Sequence, residues 1–165
     1  MLKRDYDGQV CSIARSLELV GERWTLLIVR DLIFGLSRFD QLLESLGIAS
    51  NVLTDRLNRL VEEGIAERVR YSERPERFEY RLTGKGRELG LVLLALMQWG
   101  DRHVSEKAPR IARRRSDRSP VSVALVAGDG SPVAPGDLEL VPGPGARAAQ
   151  SAGRPRRGRS PHAAG

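Results

Sequence analysis

The sequence predicts a mainly α-helical fold carrying one small β-hairpin, and three observations predict it. Apolar residues recur at helical spacing in five stretches between residues 12 and 103. Gly21, Gly35 and Gly64 stand where three of those stretches end, as helix-stopping glycines do. Between the fourth and fifth stretches, two short runs rich in strand-forming residues flank a charged segment.

The first helix is expected over residues 12–20 and the second over 23–34. Trp24-Thr25-Leu26-Leu27-Ile28-Val29 is apolar nearly all round, so the second helix belongs at the centre. The third covers 38–46, with Phe39, Leu42 and Leu43 on one face. The fourth starts at Ser50, read as its N-cap, and carries the stripe Leu53, Leu57, Leu60 and Val61. Strands are expected at 66–71 and 78–82, joined through Ser72-Glu73-Arg74-Pro75-Glu76-Arg77. Thr83 caps the last helix, which runs to His103. Its Leu89, Leu91, Val92, Leu93, Leu94, Leu96, Met97 and Trp99 cover every azimuth. A terminal helix cannot bury all of that in its own small domain, so the surplus predicts a second copy of the chain.

At 165 residues the chain suits one domain with an appendage, and 5% aromatics imply a core of Leu, Val and Ile. We divide it into a folded domain at 1–107, a linker with a small hairpin at 108–142, and a disordered basic tail at 143–165. The hairpin is expected between Val121 and Val141, around Gly128-Asp129-Gly130. The first ten residues are polar and resemble no signal peptide, and the apolar run 89–99 is too short to span a bilayer. A lone Cys11 excludes an intramolecular disulfide framework and fits a reducing cytoplasm. His103 and His162 are too far from each other and from Cys11 to suggest a metal site. With one histidine in the folded part, no catalytic set can be assembled, so neither an enzyme nor a cofactor is expected.

The net charge of +6 sits in an uninformative place. Residues 1–107 hold 17 basic and 17 acidic residues, leaving 10 and 4 to residues 108–165. A nucleic-acid argument for the folded part therefore rests on where its arginines sit.

The order helix, short turn, helix, glycine stop and charged-tip hairpin is that of a winged helix-turn-helix. Such a helix enters the DNA major groove, its leading turn offers polar side chains and backbone N–H groups, and the hairpin tip reaches the adjacent backbone. On a helical wheel Asn51, Asn58 and Arg59 face outward, with Thr54 and Arg56 on the flanks. Candidate DNA contacts are Arg38, Ser50, Asn51, Thr54, Arg56, Asn58, Arg59, Arg74 and Arg77. The alternatives are that Arg56 pairs with Glu63 or Glu44, and that Arg74 and Arg77 belong to a solvated turn among Glu73, Glu76 and Glu79. Cys11 is either a half-buried small hydrophobe or a thiolate favoured by the helix start and by Arg15, hence a candidate redox sensor.

The chain resembles the HxlR-type regulators of bacteria. The resemblance is carried by Cys11, the run Leu17-Glu18-Leu19-Val20-Gly21-Glu22-Arg23-Trp24-Thr25-Leu26-Leu27-Ile28, and Arg30-Asp31-Leu32. It continues through Arg38-Phe39, Leu53-Thr54-Asp55-Arg56-Leu57, Glu63-Gly64-Ile65, Arg74-Pro75, Glu79-Tyr80-Arg81-Leu82-Thr83, Gly86 and Trp99-Gly100. It implies a cytoplasmic homodimeric transcription factor that binds a double-stranded DNA operator through residues 50–63 and a wing at 72–77. It also implies a dimer interface on the first and last helices, at Leu17, Leu89, Val92, Leu93, Leu96 and Trp99. Some members sense electrophiles or oxidants through the cysteine that matches Cys11. Ser12 stands where the family commonly has proline, and Asn51 where it commonly has lysine. The runner-up reading is a winged helix used as a protein-interaction module, which the zero net charge of residues 1–107 favours. No membrane partner is expected, and the sequence names no small-molecule or redox effector.

Overall fold

A computed structural model describes Tyr6 and residues 11–146. Helices α1 (Ser12–Val20), α2 (Thr25–Ile33), α3 (Phe39–Leu46) and α4 (Ser50–Glu62) precede strands β1 (Ala66–Glu73) and β2 (Glu76–Leu82) and helix α5 (Gly84–His103). After them come a minor hairpin, β3 (Leu125–Val126) with β4 (Pro132–Val133), and one 3₁₀ turn at Pro135–Asp137.

The core collects side chains whose spacing put them on inner helix faces. Ile28 and Val29 from α2, Leu42 from α3, and Leu53, Leu57 and Leu60 from α4 are fully or almost fully buried. Ile65, Ala66 and Leu82 close it at the root of the hairpin, and Val61 packs half-buried beside it. The fourth-helix stripe therefore faces inward as its period of 3.6 predicts.

Helix ends differ from expectation in two places. Trp24 does not begin α2 but caps it with left-handed backbone (φ 81°), so the helix starts at Thr25 and ends at Ile33. Positive φ in a bulky residue is strained and is held by its surroundings, here including the Arg23 guanidinium 4.8 Å from the ring centroid. Ser50 is not the N-cap of α4. Ala49 takes that position with extended backbone and no side-chain bond, and Ser50 is the first helical residue. The Ser50 carbonyl accepts the Thr54 hydroxyl at 2.9 Å, a contact inside the helix that leaves its leading amides without a side-chain acceptor.

The antiparallel hairpin is longer than expected. Its strands reach Glu73 and Glu76, leaving only Arg74 and Pro75 at the tip, with a cis bond between them. Register shifts between Arg70 and Ser72, and the Ser72 hydroxyl donates to the Pro75 carbonyl at 2.9 Å. On its other edge β2 meets the start of α3, where Tyr80 N–H donates to the Ser37 carbonyl at 2.7 Å.

Thr83 joins the hairpin to α5 as expected. Its hydroxyl oxygen accepts the Gly86 N–H at 3.1 Å, and the hydroxyl lies 2.7 Å from the Gly64 carbonyl. Gly86 is there because nothing larger fits: a Cβ would sit 2.0 Å from the Ile65 carbonyl oxygen. Leu89 and Leu93 pack against the core, so these two of the expected interface residues serve the chain's own fold. Val92, Leu96 and Trp99 are about half exposed on the far side of α5.

Residues 109–123 fold back on this body. Arg110 lies 4.6 Å from the Phe34 ring centroid, and Val123 N–H donates to Gln98 Oε1 at 2.8 Å. The minor hairpin turns through Gly128-Asp129-Gly130, with Ala127 N–H on the Ser131 carbonyl. Hydrogen bonds from Ser119 and Ser131 hold the Asp117 and Asp129 carboxyls below their ordinary values. Most of the expected basic tail, residues 147–165, lies outside the described residues. Among the described residues no helix is long and apolar enough to cross a membrane.

Candidate nucleic-acid interface

The helix-turn-helix consists of α3, a turn through Gly47, Ile48 and Ala49, and α4. Gly47 takes φ 61°, which a glycine adopts without strain. The Gln41 Oε1 accepts the backbone N–H groups of Ser37 and Arg38, satisfying amides at the start of α3 that Arg38, a donor-only side chain, cannot. With its inner stripe in the core, α4 shows Ser50, Asn51, Thr54, Asp55 and Asn58 to solvent. Asn51, Thr54 and Asn58 fall at i, i+3 and i+7, one row along the exposed face.

Two of the nine candidates turn away from that row. Arg59 does not face outward: its Nη2 donates to the Glu18 carbonyl at 2.8 Å. Arg56 pairs with Glu22 at 2.5 Å and donates through Nε to the Arg23 carbonyl at 3.3 Å, so its partner is neither Glu63 nor Glu44. The guanidiniums fold back along the helix surface because α1 and its following turn offer carbonyls and a carboxylate within reach.

At the wing, Arg74 and Arg77 are exposed, and among the described residues neither has a carboxylate partner. The neighbouring charges are occupied: Arg70 pairs with Glu73 and Glu76, and Arg81 with Glu79. Arg38 is exposed, with its guanidinium 5.0 Å from the Tyr71 ring centroid, which sets it against the side of the wing. Arg68, which the sequence reading did not single out, lies 3.6 Å over Phe78. Phe78 stands opposite Arg70, so Arg68 reaches its ring diagonally across the ladder.

Cys11 caps α1 with extended backbone, is half-buried, and makes no side-chain hydrogen bond to the helix. Leu17, one of the expected interface residues, is exposed on α1 together with Ile13, one turn earlier. Among the described residues no group of His, Cys, Asp or Glu is arranged to hold a metal ion.

An exposed polar helix beside a charged-tip hairpin defines the class of fold, a winged helix-turn-helix. The HxlR-like helix-turn-helix profile matches residues 19–108, and the chain belongs to that family. It is 52% identical over 103 residues to the uncharacterized HTH-type transcriptional regulator Rv3095 of Mycobacterium tuberculosis (strain ATCC 25618 / H37Rv). That match takes in 62% of this chain and 64% of the relative, so the chain spans less than two thirds of that relative's length. Among solved structures, PA1607, described as a transcription-factor candidate, is similar at 40% identity and TM-score 0.72, covering 79% of this chain and 94% of its own. The oxidized form of the redox regulator HypR is similar at 29% identity and TM-score 0.54, covering 58% of this chain and 99% of its own.

Proposed function

We propose that the chain is a cytoplasmic homodimer that binds a double-stranded DNA operator, with α4 in the major groove and the wing on the adjacent backbone. The observation that carries this reading is the row Asn51, Thr54 and Asn58 on the exposed face of α4, beside the wing arginines Arg74 and Arg77, which meet no carboxylate among the described residues. Amide side chains read base edges, and arginines at the tip neutralise phosphates. Ser50 and the uncapped amides of the leading turn supply further donors to a phosphate. Arg56 and Arg59 drop out as contacts and become struts that hold α4 to α1. Arg38 adds a phosphate contact beside the wing.

The dimer uses Val92, Leu96 and Trp99 of α5 together with Leu17 of α1. Apolar side chains left at this exposure on one helix row are what a partner surface covers. Thiol modification at Cys11 is the effector route attached to this reading. Cys11 begins the same helix that carries Leu17, so an adduct there would act near the contact between subunits. Alkylation rate, with operator affinity measured before and after mild oxidation, tests that route.

A second reading, docking onto another protein, is favoured by one observation. With Arg56 and Arg59 turned inward, the charged side chains showing on α4 include Asp55 and Glu62, which repel phosphate. Selection of bound fragments from genomic DNA, followed by salt titration on the fragment recovered, separates the two. DNA binding gives a linear fall of log affinity with log salt, with a slope of roughly −0.9 per phosphate contacted. Failure to recover any fragment above background removes the DNA reading.

A further inference from the structure

A cavity of about 1170 Å³ lies between α2, α5 and the segment 109–112 that crosses over them. Its wall is mostly apolar, with Leu27, Ile33, Leu94, Met97 and Ile111 among its residues. Leu27, Ile33 and Ile111 are 38%, 41% and 64% exposed, so the wall is an open apolar patch of the kind that marks a binding surface. Three ionisable residues stand in it: Arg30, Asp31 and Arg110. Asp31 is spent on Arg30, its Oδ1 lying 2.8 Å from Nε and 2.7 Å from Nη2. Arg110 is exposed and meets no carboxylate among the described residues. Its guanidinium lies 4.6 Å from the ring centroid of Phe34, which belongs to the same wall, so the charge is held at the cavity. Stacking occupies the face of a guanidinium and leaves the N–H groups in its plane open to an acceptor.

We infer that this cavity binds an amphipathic monocarboxylate, of the fatty-acid kind, whose carboxylate is forked by Arg110 and whose apolar part lies along α2 and α5. Charge complementarity selects it. With Arg30 neutralised by Asp31, the wall carries one positive charge in excess. One negative charge balances it, whereas a doubly charged phosphate monoester leaves a charge unmatched beside apolar wall and an ammonium ion is repelled. The guanidinium fork also matches the two oxygens of a carboxylate. An apolar wall with a single placed polar group is the usual division of labour in a ligand pocket. Arg110 follows the family-matched residues 19–108, so the family domain does not supply this cation. None of the wall comes from α4 or the wing, and the site does not rest on the DNA reading.

The test uses the full-length chain with decanoate and decan-1-ol, equal in chain length, the second uncharged. Against an apolar wall alone the alcohol would bind more tightly, because an ionised group resists leaving water. With Arg110 in place, calorimetry should give one decanoate per chain, bound about tenfold more tightly than the alcohol, as a hydrogen bond to a charged group allows. Arg110→Met keeps the aliphatic stem and should reverse that order. Alcohol binding retained in this variant shows that the cavity has survived. Ile111→Glu is the check should Arg110→Met fold poorly: at this exposed wall position a carboxylate costs the fold little and should repel decanoate. Equal affinity of the native chain for the two probes, a decanoate preference that survives in Arg110→Met, undiminished decanoate binding in Ile111→Glu, or no decanoate binding at millimolar concentration would overturn the proposal. The last result would mean that a second subunit covers the apolar wall.

Discussion

Arg59 on α4 and Glu18 on α1 are joined by a 2.8 Å hydrogen bond from the guanidinium to the backbone carbonyl. One helical turn along α4, Arg56 grips Glu22 and the Arg23 carbonyl. The two arginines that a helical wheel assigns to DNA thus fix where α4 lies relative to α1.

Replacing Arg59 with Met keeps the aliphatic stem and removes the bond to Glu18. Stability should fall by about 1.5–3 kcal/mol, the range for a hydrogen bond that involves a charged group. Urea denaturation checks it. Arg56→Met should cost less, about 0.5–1 kcal/mol, since its ion pair with Glu22 is more exposed. A large loss of operator affinity in either variant without a loss of stability would restore these residues to the DNA contacts.

Asn51→Ala and Asn58→Ala should leave stability nearly unchanged, because both side chains are exposed. Each should relax operator preference by about 1–3 kcal/mol at one base pair, read by competition among operator variants. Arg74→Ala and Arg77→Ala should instead weaken binding to every sequence and flatten the salt slope by roughly 0.9 each.

Gly86→Ala should destabilise the fold by about 1–3 kcal/mol, because its Cβ would meet a backbone oxygen, which cannot turn aside. Gly84→Ala is the control two residues earlier. A Cβ there meets nothing within 4 Å, so its melting temperature should hold or rise.

Leu96→Glu on the exposed row of α5 should convert a species of twice the chain mass to one of chain mass in sedimentation. Leu89→Ala, in a side chain packed against the core, should lower stability first.

Periodicity made the five helices, the hairpin and the inner face of α4 legible, because burial follows spacing in an amphipathic helix. It could not show the direction of long side chains. An arginine at the flank of a helix has about four torsions with which to reach back, so Arg56 and Arg59 chose carbonyls and a carboxylate on α1. The cap was missed for a different reason. Ser50 is a good capping residue by type, yet α4 begins with Ala49 extended, and the chain had no signal for that single-residue shift. The strands ran past their expected ends because Glu73 and Glu76, poor strand formers, pair directly across the ladder beside a two-residue turn. Asp31 drew no attention in the sequence because only folding buries one of its oxygens without a partner among the described residues.

The length of the hairpin sets a distance as well as a shape. Eight residues of β1 at about 3.3 Å each make an arm of roughly 26 Å, rooted at buried Ala66 and ending beside Arg74. That span is about three quarters of one turn of duplex, taking the turn as roughly 34 Å. Removing one cross-strand pair would draw the tip back by about 3.3 Å, close to the roughly 3.4 Å between successive nucleotides along a strand. In the proposed DNA complex the hairpin is thus a ruler graduated in base-pair steps, its length setting which phosphate the tip arginine meets.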